Sequence, residues 1–411
     1  MATKELTLWL MANAGLESKA TIERELENFS KLHPKIEVRC EIHSWSRAWM
    51  RLMQAVKEKS GPDVIQVGTT WIATLGYLGA VQKLDAHKVD ADAFIPLLFS
   101  MCRYFRHQWA IPWFGEARVM FYRKDFLEKT EIDPRQLDNW ESFKKACAKL
   151  ARLHTHSHAI TPIGFSGHME QSILQDFASW IWGFGGSFLS SDGKHSTIDR
   201  DGAKEGFKFF LDLISAGYLS RSALGLSVGS IAENFFFHDA HAFFISNPWP
   251  LQIYLDQSSK YFIGRAKAKN FGVTLVPSGP NGKYNFAGGS ALAVTNFTNQ
   301  SEEAWTLVNY LTGKESMGRY CQSINTMPSR LDVSISLDQI ENTTEVLQRA
   351  VSDYGRSFPS HPVWGSIEQI LVNGLAFSLR DFQATEDQTV FFKNLTEISQ
   401  EIELILSVFG E

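Results

Sequence analysis

A short pattern in this chain matches the surroundings of a catalytic serine. Gly225-Leu-Ser-Val-Gly229 has the G-x-S-x-G spacing that exposes a serine nucleophile at a turn between a strand and a helix. Asp353 and His361 follow it in the order that a triad requires. The pattern needs a buried strand directly before it, whereas residues 215–221 have the character of a helix end and a loop. A serine esterase acting through Ser227 is therefore an alternative function rather than the favoured one.

Two further patterns could support metal or carboxylate chemistry. His154, His156 and His158 alternate as H-x-H-x-H, which on a strand would place three imidazoles on one face and could bind zinc. No carboxylate or cysteine ligand lies close to them in sequence, so a solvated loop is favoured and neither a metal nor a cofactor is predicted. Scattered Asp and Glu residues leave a two-carboxylate glycoside hydrolase open, because the sequence does not give the distance between the carboxyl groups.

The tryptophans favour binding over catalysis. The chain has 12 Trp, and Trp71, Trp113, Trp249 and Trp364 lie at predicted loops or strand ends rather than on apolar stripes. An indole face is a flat apolar plate with a negative quadrupole, which complements the C–H face of a pyranose. Each of these side chains could equally be packed in the core. The pattern therefore indicates a sugar site without deciding which indoles form it.

Alternating strands and helices at the N-terminus would position such a site. Residues 7–11, 36–42 and 64–67 are predicted strands, and the two segments between them repeat apolar residues at helical spacing. The order β-α-β-α-β predicts a mostly parallel sheet covered on both faces. Ligand sites in such sheets lie beyond the carboxyl ends of the strands, which directs attention to the loop at residues 68–71.

Composition limits the function classes. The chain has 411 residues, which predicts about two to three domains, and its net charge of −5 with 21% charged residues gives no basic footprint for nucleic acid or an anionic membrane. No apolar run reaches the roughly 18 to 20 residues of a membrane span. The four cysteines form no C-x-x-C pair, and Cys147 is predicted to be a buried thiol. The N-terminus lacks the three regions of a secretory signal.

A series of short motifs resembles a known family in the correct order along most of the chain. They include Leu6-Thr-Leu-Trp-Leu10, Gly61-Pro-Asp-Val-Ile-Gln-Val-Gly68, Ile111-Pro-Trp-Phe-Gly-Glu-Ala-Arg-Val-Met-Phe-Tyr-Arg-Lys-Asp125, Phe243-Phe-Ile-Ser-Asn-Pro-Trp249, Phe286-Ala-Gly-Gly-Ser290 and Met327-Pro-Ser-Arg330. The chain resembles the extracellular solute-binding proteins of ABC importers, specifically the carbohydrate-binding group that is similar to maltose-binding protein. Each motif alone is weak, and their order makes the resemblance specific.

The resemblance implies an α/β chain with the two-lobed periplasmic-binding-protein fold of type II. Each lobe would be a mainly parallel sheet flanked by helices, with a ligand cleft between the lobes. The expected N-terminal lobe comprises residues 1–115 and 286–329, and the expected C-terminal lobe comprises residues 116–285 and 330–411. Hinges are expected near residues 112–118, 284–290 and 326–332.

The resemblance also implies ligand-binding residues. Glu116 matches a carboxylate that accepts sugar hydroxyls, Trp249 matches an aromatic that stacks on a sugar ring, and Trp364 lies where another cleft aromatic is found. The glycines of Gly288-Gly289-Ser290 could bring backbone N–H groups close to hydroxyls, since glycine allows close approach. The remaining candidates are residues expected to face the cleft or to form its rim and walls: Thr70, Trp71, Arg118, Arg330, His43, Ser44, Trp45 and Trp182.

The expected function is capture of a sugar, of di- or oligosaccharide size, by hinge closure and its delivery to a membrane permease. The protein would be a non-enzymatic monomer, located in the periplasm or outside the cell with a lipid anchor as an option, and would bind no nucleic acid. Arg118 departs from the apolar residue of maltose-binding protein, and residues 68–71 lack that protein's acidic and basic pair. Maltose itself is therefore left open. Two arginines near the cleft also allow an acidic sugar, and an acidic or phosphorylated solute stays an alternative.

Overall fold

The computed structural model describes residues 3–13, 15–84, 89–154, 159–255, 257, 259–337 and 339–409. Its strands, in chain order, are β1 (Lys4–Met11), β2 (Ile36–His43), β3 (Val64–Gly68), β4 (Arg103–Tyr104), β5 (His107–Gln108), β6 (Ile111–Ala117), β7 (Val119–Arg123), β8 (Thr161–Gly164), β9 (His241–Ser246), β10 (Phe271–Thr274), β11 (Asn285–Val294), β12 (Met327–Pro328) and β13 (Gly355–Arg356). The three strands predicted at the N-terminus are confirmed as β1, β2 and β3.

Helices connect these strands. They are α1 (Gly15–Leu32), α2 (Trp45–Glu58), α3 (Ile72–Tyr77), α4 (Pro96–Met101), α5 (Lys124–Lys129), α6 (Trp140–Leu150), α7 (Gln171–Gly183), α8 (Asp201–Ser215), α9 (Val228–Phe236), α10 (Trp249–Tyr254), α11 (Arg265–Ala268), α12 (Ser301–Leu311), α13 (Lys314–Ser323), α14 (Thr343–Ser352), α15 (Trp364–Thr385) and α16 (Gln388–Phe409). Among the described residues, no helix is long and apolar enough to cross a membrane.

The chain divides into two compact units. Unit 1 comprises residues 1–116, 288–337 and 360–365, and unit 2 comprises residues 117–287, 338–359 and 366–411. The boundaries at 116/117 and 287/288 fall within two of the expected hinge segments, while the third lies at 337/338 rather than near 326–332. Residues 330–337 belong to unit 1 because Arg330 forms a β-bridge with Phe94 and the N–H of Leu331 donates to the carbonyl of Ala93. Hinge movement stays a prediction.

The sheet of unit 1 has the strand order β12-β6-β11-β3-β1-β2. β1 pairs in parallel with β2 and with β3, as the β-α-β-α-β pattern predicts. β11 pairs antiparallel with β3, and β12 pairs antiparallel with β6. Because β1, β2 and β3 run in the same direction, their carboxyl ends lie at one edge of the sheet.

Helices cover both faces of this sheet, and the alternation of β1 decides which residues face them. Leu6, Leu8 and Leu10 pack in one core cluster with residues of α1, α12 and α13. Met11 packs on the opposite face in a second cluster with residues of α2 and α3. Together the two clusters bury the strands on both faces of the sheet.

The sheet of unit 2 has the order β10-β7-β9-β8 and is mainly antiparallel, so the expectation of a mainly parallel sheet is wrong for this unit. Among the described strands of this sheet, only β8 and β9 pair in parallel. Helices α7, α8 and α9 separate those two strands, and such a connection gives a parallel pair. β7 follows β6 after a single residue, Arg118, so no covering helix sets its direction.

Aromatic packing in unit 2 accounts for part of the high aromatic content. Trp140 lies 5.2 Å from Trp180 and 5.0 Å from Phe209 between ring centroids, and Phe177 lies 4.7 Å from Phe210. Cys147 is confirmed as a buried free thiol on α6. Much of the tryptophan and phenylalanine of the chain thus serves this core rather than a ligand.

Candidate functional site

The carboxyl edge of the unit 1 sheet carries a cluster of indole and amide side chains. Asn13 follows β1, Trp45 follows β2, and Trp71 follows β3 in a short helical turn at Thr69–Trp71. Ser290 of β11 pairs with Gly68 at the end of β3. We name these residues, together with the buried Gln66 that connects them, the edge cluster: Asn13, Trp45, Gln66, Trp71 and Ser290.

Hydrogen bonds hold the amides of the edge cluster in place. The side-chain oxygen of Gln66 accepts from the backbone N–H of Met11 at 2.9 Å, and its amide nitrogen donates to Ser290 Oγ at 2.9 Å. The amide nitrogen of Asn13 donates to the hydroxyl of Tyr320 at 3.0 Å. The indole N–H of Trp45 donates to Asn13 Oδ1 at 3.3 Å. A cavity of about 450 Å³ opens beside Asn13 and Tyr320.

Three indoles pack together at this edge. The ring centroid of Trp71 lies 5.7 Å from that of Trp45 and 5.4 Å from that of Trp49. Trp71 is buried, whereas Trp45 is half-buried and keeps an accessible face. Trp49 also packs so closely on Gly365 that a Cβ there would lie 2.2 Å from the indole ring. The buried Trp71 therefore supports the half-buried Trp45 and Trp49, and Trp45 is the one that belongs to the edge cluster.

His43 ends β2 next to the edge cluster, and neighbours fix its ring. The guanidinium of Arg51 donates to His43 Nδ1 at 2.7 Å, and the His43 ring meets the edge of the Trp9 ring with centroids 4.7 Å apart. Burial, together with the charge of Arg51, lowers the pKa of His43 below its ordinary value. His43 is thus a neutral imidazole that accepts from Arg51 at neutral pH. Ser44 directly follows His43 and is exposed, and Thr70, in the turn after β3, is half-buried.

Gly289 meets the backbone of β6 rather than open space. A Cβ on Gly289 would lie 2.1 Å from the carbonyl oxygen of Phe114, and its φ of +156° also favours glycine. The sequence suggested that a ligand approaches the backbone of this glycine closely, but in the structure strand β6 makes that close approach. Gly288 and Ser290 are buried on either side, and Glu116, two residues after Phe114 on β6, is half-buried.

In unit 2, Trp249 is the predicted aromatic that keeps accessible surface. It is the first residue of α10 and follows the fully buried strand β9 after Asn247 and Pro248. Its indole is half-buried, whereas most of α10 behind it is buried. A half-buried indole directly beyond a strand end is the placement that was expected of a plate for a sugar ring.

The guanidinium of Arg118 is occupied within the protein, contrary to the expectation that it faces a ligand. Its Nε donates to Asp176 Oδ1 at 2.7 Å, and its NH2 group donates to the side-chain oxygen of Gln175. Arg118 and Asp176 are both almost fully buried. Arg330 is paired similarly, since its Nε lies 2.8 Å from Asp332 Oδ1 and its guanidinium lies over the Phe94 ring. Each of these arginines therefore already has a carboxylate partner within the protein.

Besides Trp71, three of the predicted tryptophans are packed. Trp364 begins α15 with no exposed surface, and Trp182 on α7 is also buried, in contact with Phe188 and Phe358. Trp113 stacks on Tyr320 at 4.1 Å between centroids, and its N–H donates to the carbonyl of Leu311. Trp113 therefore belongs to the core of unit 1, and the accessible faces belong to Trp45 and Trp249.

The patterns that suggested catalysis have structural explanations where they are described. A short helical turn at Ser222–Gly225, not a strand, precedes Ser227, and the Ser227 hydroxyl caps α9 by accepting from the N–H of Ser230. Of the three alternating histidines, His156 and His158 lie outside the described residues. Within the described part of the chain, no group of three or more His, Cys, Asp or Glu side chains could hold a metal ion.

Asn13, Gln66 and Tyr320 were not predicted from the sequence. Asn13 directly follows the predicted strand 7–11, so the rule that sites lie beyond carboxyl ends could have identified it. Gln66 lies within a buried strand, where a polar residue needs a partner. Nothing in the sequence marks Tyr320, which comes from α13.

A family model described as bacterial extracellular solute-binding protein matches residues 13–318. The chain belongs to this family. Among the relatives of this solute-binding protein is one from Brucella abortus (strain 2308) that is named as a binding protein. It is 24% identical over 352 residues, which cover 84% of this chain and 82% of the relative. The family and these relatives are binding proteins rather than enzymes.

Solved structures share the two-lobed α/β fold of this solute-binding protein. Maltose-bound MalE3 of T. maritima superposes with a TM-score of 0.81 at 20% identity, covering 98% of this chain and 100% of that one. An ABC transporter solute-binding protein from Thermotoga lettingae, bound with α-D-tagatose, gives a TM-score of 0.81 at 19% identity with coverage of 98% and 100%. The match over both units confirms the predicted fold class.

Proposed function

We propose that this protein captures a sugar of di- or oligosaccharide size and delivers it to the permease of an ABC importer. The edge cluster carries the proposal, because it combines an accessible indole with amide and hydroxyl groups already held in place by hydrogen bonds. A preorganised set of this kind suits a polar ligand with an apolar ring face. Structural neighbours bound with maltose and α-D-tagatose support the same ligand class.

The proposal includes Glu116, Trp249 and the other predicted ligand residues that keep accessible surface. Glu116 would accept hydrogen bonds from sugar hydroxyls, and Trp249 would stack on a ring. The predicted hinge closure, the monomeric state, the permease partner and a periplasmic or lipid-anchored location belong to the same proposal. So does the absence of catalysis, which the capping role of Ser227 supports.

A thermal-shift panel tests this function directly. Neutral mono-, di- and oligosaccharides are added to the protein together with uronates, and the sugar is recovered and analysed afterwards. A ligand at 100 times its Kd stabilises the folded state by about 2.7 kcal/mol, which raises the melting temperature measurably. We expect a saturable shift for one glycan series with the sugar recovered intact.

Two results would contradict the proposal. Recovery of cleaved sugar would indicate a hydrolase, and no shift with any saccharide would exclude the sugar class that the panel covers. A mock panel of amino acids and short peptides at the same concentrations serves as the control for nonspecific stabilisation.

A further inference from the structure

Arg356 is a half-buried cation whose contacts are aromatic rather than acidic. Its guanidinium carbon lies 4.9 Å from the centroid of the Trp182 ring and 5.6 Å from that of the Tyr284 ring. Within the described residues, no carboxylate pairs with Arg356, and no hydrogen bond from its side chain is made. Burial lowers the pKa of Arg356, as expected for a cation that has lost water without gaining a counter-ion.

Other arginines of unit 2 show how unusual this is. Arg118 and Arg123 are buried, and each has a carboxylate oxygen within 2.8 Å. Arg123 is held by two carboxylates, those of Asp125 and Asp239. The protein therefore pairs these two buried guanidinium groups with carboxylates, whereas in the described part of the chain no carboxylate pairs with the half-buried guanidinium of Arg356.

The position of Arg356 is fixed by its surroundings. Its backbone pairs with Phe286 in the β11–β13 ladder. The Phe358 ring lies 4.8 Å from Phe286, 5.2 Å from Phe188 and 6.0 Å from Trp182 between centroids. This packing holds the Trp182 ring on which the guanidinium rests, so the donor fork has little freedom to lose when it binds a ligand.

We propose that Arg356 binds an oxyanion of the ligand, so that the protein prefers a sugar bearing a carboxylate or phosphate group over its neutral counterpart. A carboxylate or phosphate accepts two parallel N–H bonds from a guanidinium and returns the missing charge, whereas a hydroxyl returns none. The half-buried Tyr284 ring beside the cation provides apolar surface for the sugar, while the buried Trp182 ring supports the guanidinium. This inference rests on the proposed sugar-binding function. Arg356 takes the anion-binding role that the sequence suggested for Arg118 and Arg330, because the guanidinium groups of those two residues are already paired with Asp176 and Asp332.

Matched pairs of probes test the preference. Calorimetric titrations compare D-galacturonate with D-galactose, D-glucuronate with D-glucose, glucose 6-phosphate with glucose, and digalacturonate with lactose. We expect at least one anionic probe to bind about tenfold or more tightly than its neutral partner, the range for a charge-assisted hydrogen bond. A uronate preference identifies a carboxylate ligand, and a preference for glucose 6-phosphate identifies a phosphorylated one.

Variants assign the preference to this residue. Arg356→Gln should abolish the preference while changing affinity for the neutral probe by no more than about twofold, and Arg356→Lys should retain part of it, since it keeps the charge without the planar fork. Arg380→Gln is the matched control, because Arg380 also lies over an aromatic ring, that of the half-exposed Phe377, at 5.2 Å. The control should leave the preference unchanged.

Some outcomes would overturn the inference and leave the proposed function intact. The first is that neutral sugars bind as tightly as their anionic partners, and the second is that Arg356→Gln weakens both classes equally. If no saccharide of either class binds, the proposed function fails and the inference fails with it. Should Arg356→Gln not fold, salt provides the second measurement, since the anionic preference of the wild-type protein must shrink as ionic strength rises. A preference that salt does not change would contradict the inference.

Discussion

Arg118 and Asp176 form a buried ion pair within unit 2, with Nε donating to Oδ1 at 2.7 Å. The backbone of Arg118 is held as well: its N–H donates to the carbonyl of Phe286 at 2.9 Å, and its carbonyl accepts from Asn285 Nδ2 at 2.7 Å. Arg118 thereby fastens the start of β7 to the start of β11 and to α7. Both segments lie next to points where the chain passes between units, so this pair stabilises their geometry.

Removing one partner of this pair should be costly. We expect Arg118→Met to lower the free energy of unfolding by about 3–5 kcal/mol, because Asp176 would be left as an uncompensated buried charge. Urea denaturation measures the change. The double variant Arg118→Met/Asp176→Leu should recover much of the loss, since it removes both charges.

The control for this prediction is Arg349→Met, which removes an exposed arginine paired with Glu345 and Asp353. Exposed pairs contribute about 0–1 kcal/mol, so this variant should unfold nearly as the wild type does. If Arg118→Met is as mild as the control, the pair has no structural role and Arg118 becomes available as a ligand residue again.

Trp249→Ala should weaken sugar binding by about 2 kcal/mol or more, the range of an aromatic anchor. The half-buried indole would lose its stacking contact, while Trp249→Phe should retain part of the affinity because a smaller plate remains. Titration of the sugar identified by thermal shift measures both. Phe377→Ala, on the exposed face of α15, is the control and should have no effect. Unchanged affinity in Trp249→Ala would remove this residue from the site.

Glu116→Gln should lose affinity without loss of stability. A half-buried carboxylate that accepts sugar hydroxyls contributes about 1.5–3 kcal/mol, and the amide replaces it with similar volume. Affinity and melting temperature are measured on the same preparation, with Glu128→Gln as an exposed control. A collapse of the melting transition would show that the carboxylate is structural.

Gly289→Ala should destabilise the protein by about 2 kcal/mol or more, because the added Cβ would meet the Phe114 carbonyl oxygen at 2.1 Å and neither strand can move away without breaking its pairing. Gly225→Ala is the matched control, since no atom lies within 4 Å of its Cβ position. Urea denaturation compares the two variants. Equal stability would mean that β11 and β6 can separate freely at this point.

The buried His43 should make stability depend on pH. Burial and Arg51 hold its pKa below the ordinary value of 6.5, so the unfolded chain binds this proton more readily than the folded protein does. Stability should therefore fall as pH drops below 6.5 towards the folded pKa. Melting temperatures between about pH 5 and 7.5 measure the effect, which His43→Gln should reduce.

His361 leaves a residual dependence in the His43→Gln variant, since burial lowers its pKa too. His238→Gln is the control because His238 is exposed. Parallel pH profiles for wild type and His43→Gln would contradict the role assigned to His43.

Local patterns in the sequence were enough to predict β1, β2 and β3, because strand alternation depends only on neighbouring residues. The order of the short motifs was enough to predict the family and the two-lobed fold.

The state of each candidate site residue was decided by the tertiary structure. Nothing near Arg118 in sequence indicates that Asp176, 58 positions away, is its partner. Nothing near Arg356 indicates that none of the described carboxylates pairs with it. All four of Trp71, Trp364, Trp45 and Trp249 were candidate ligand residues from the sequence. Trp71 and Trp364 are buried, whereas Trp45 and Trp249 are half-buried. Secondary structure follows from contacts within a few residues, whereas burial and charge pairing depend on segments that meet only when the chain has folded.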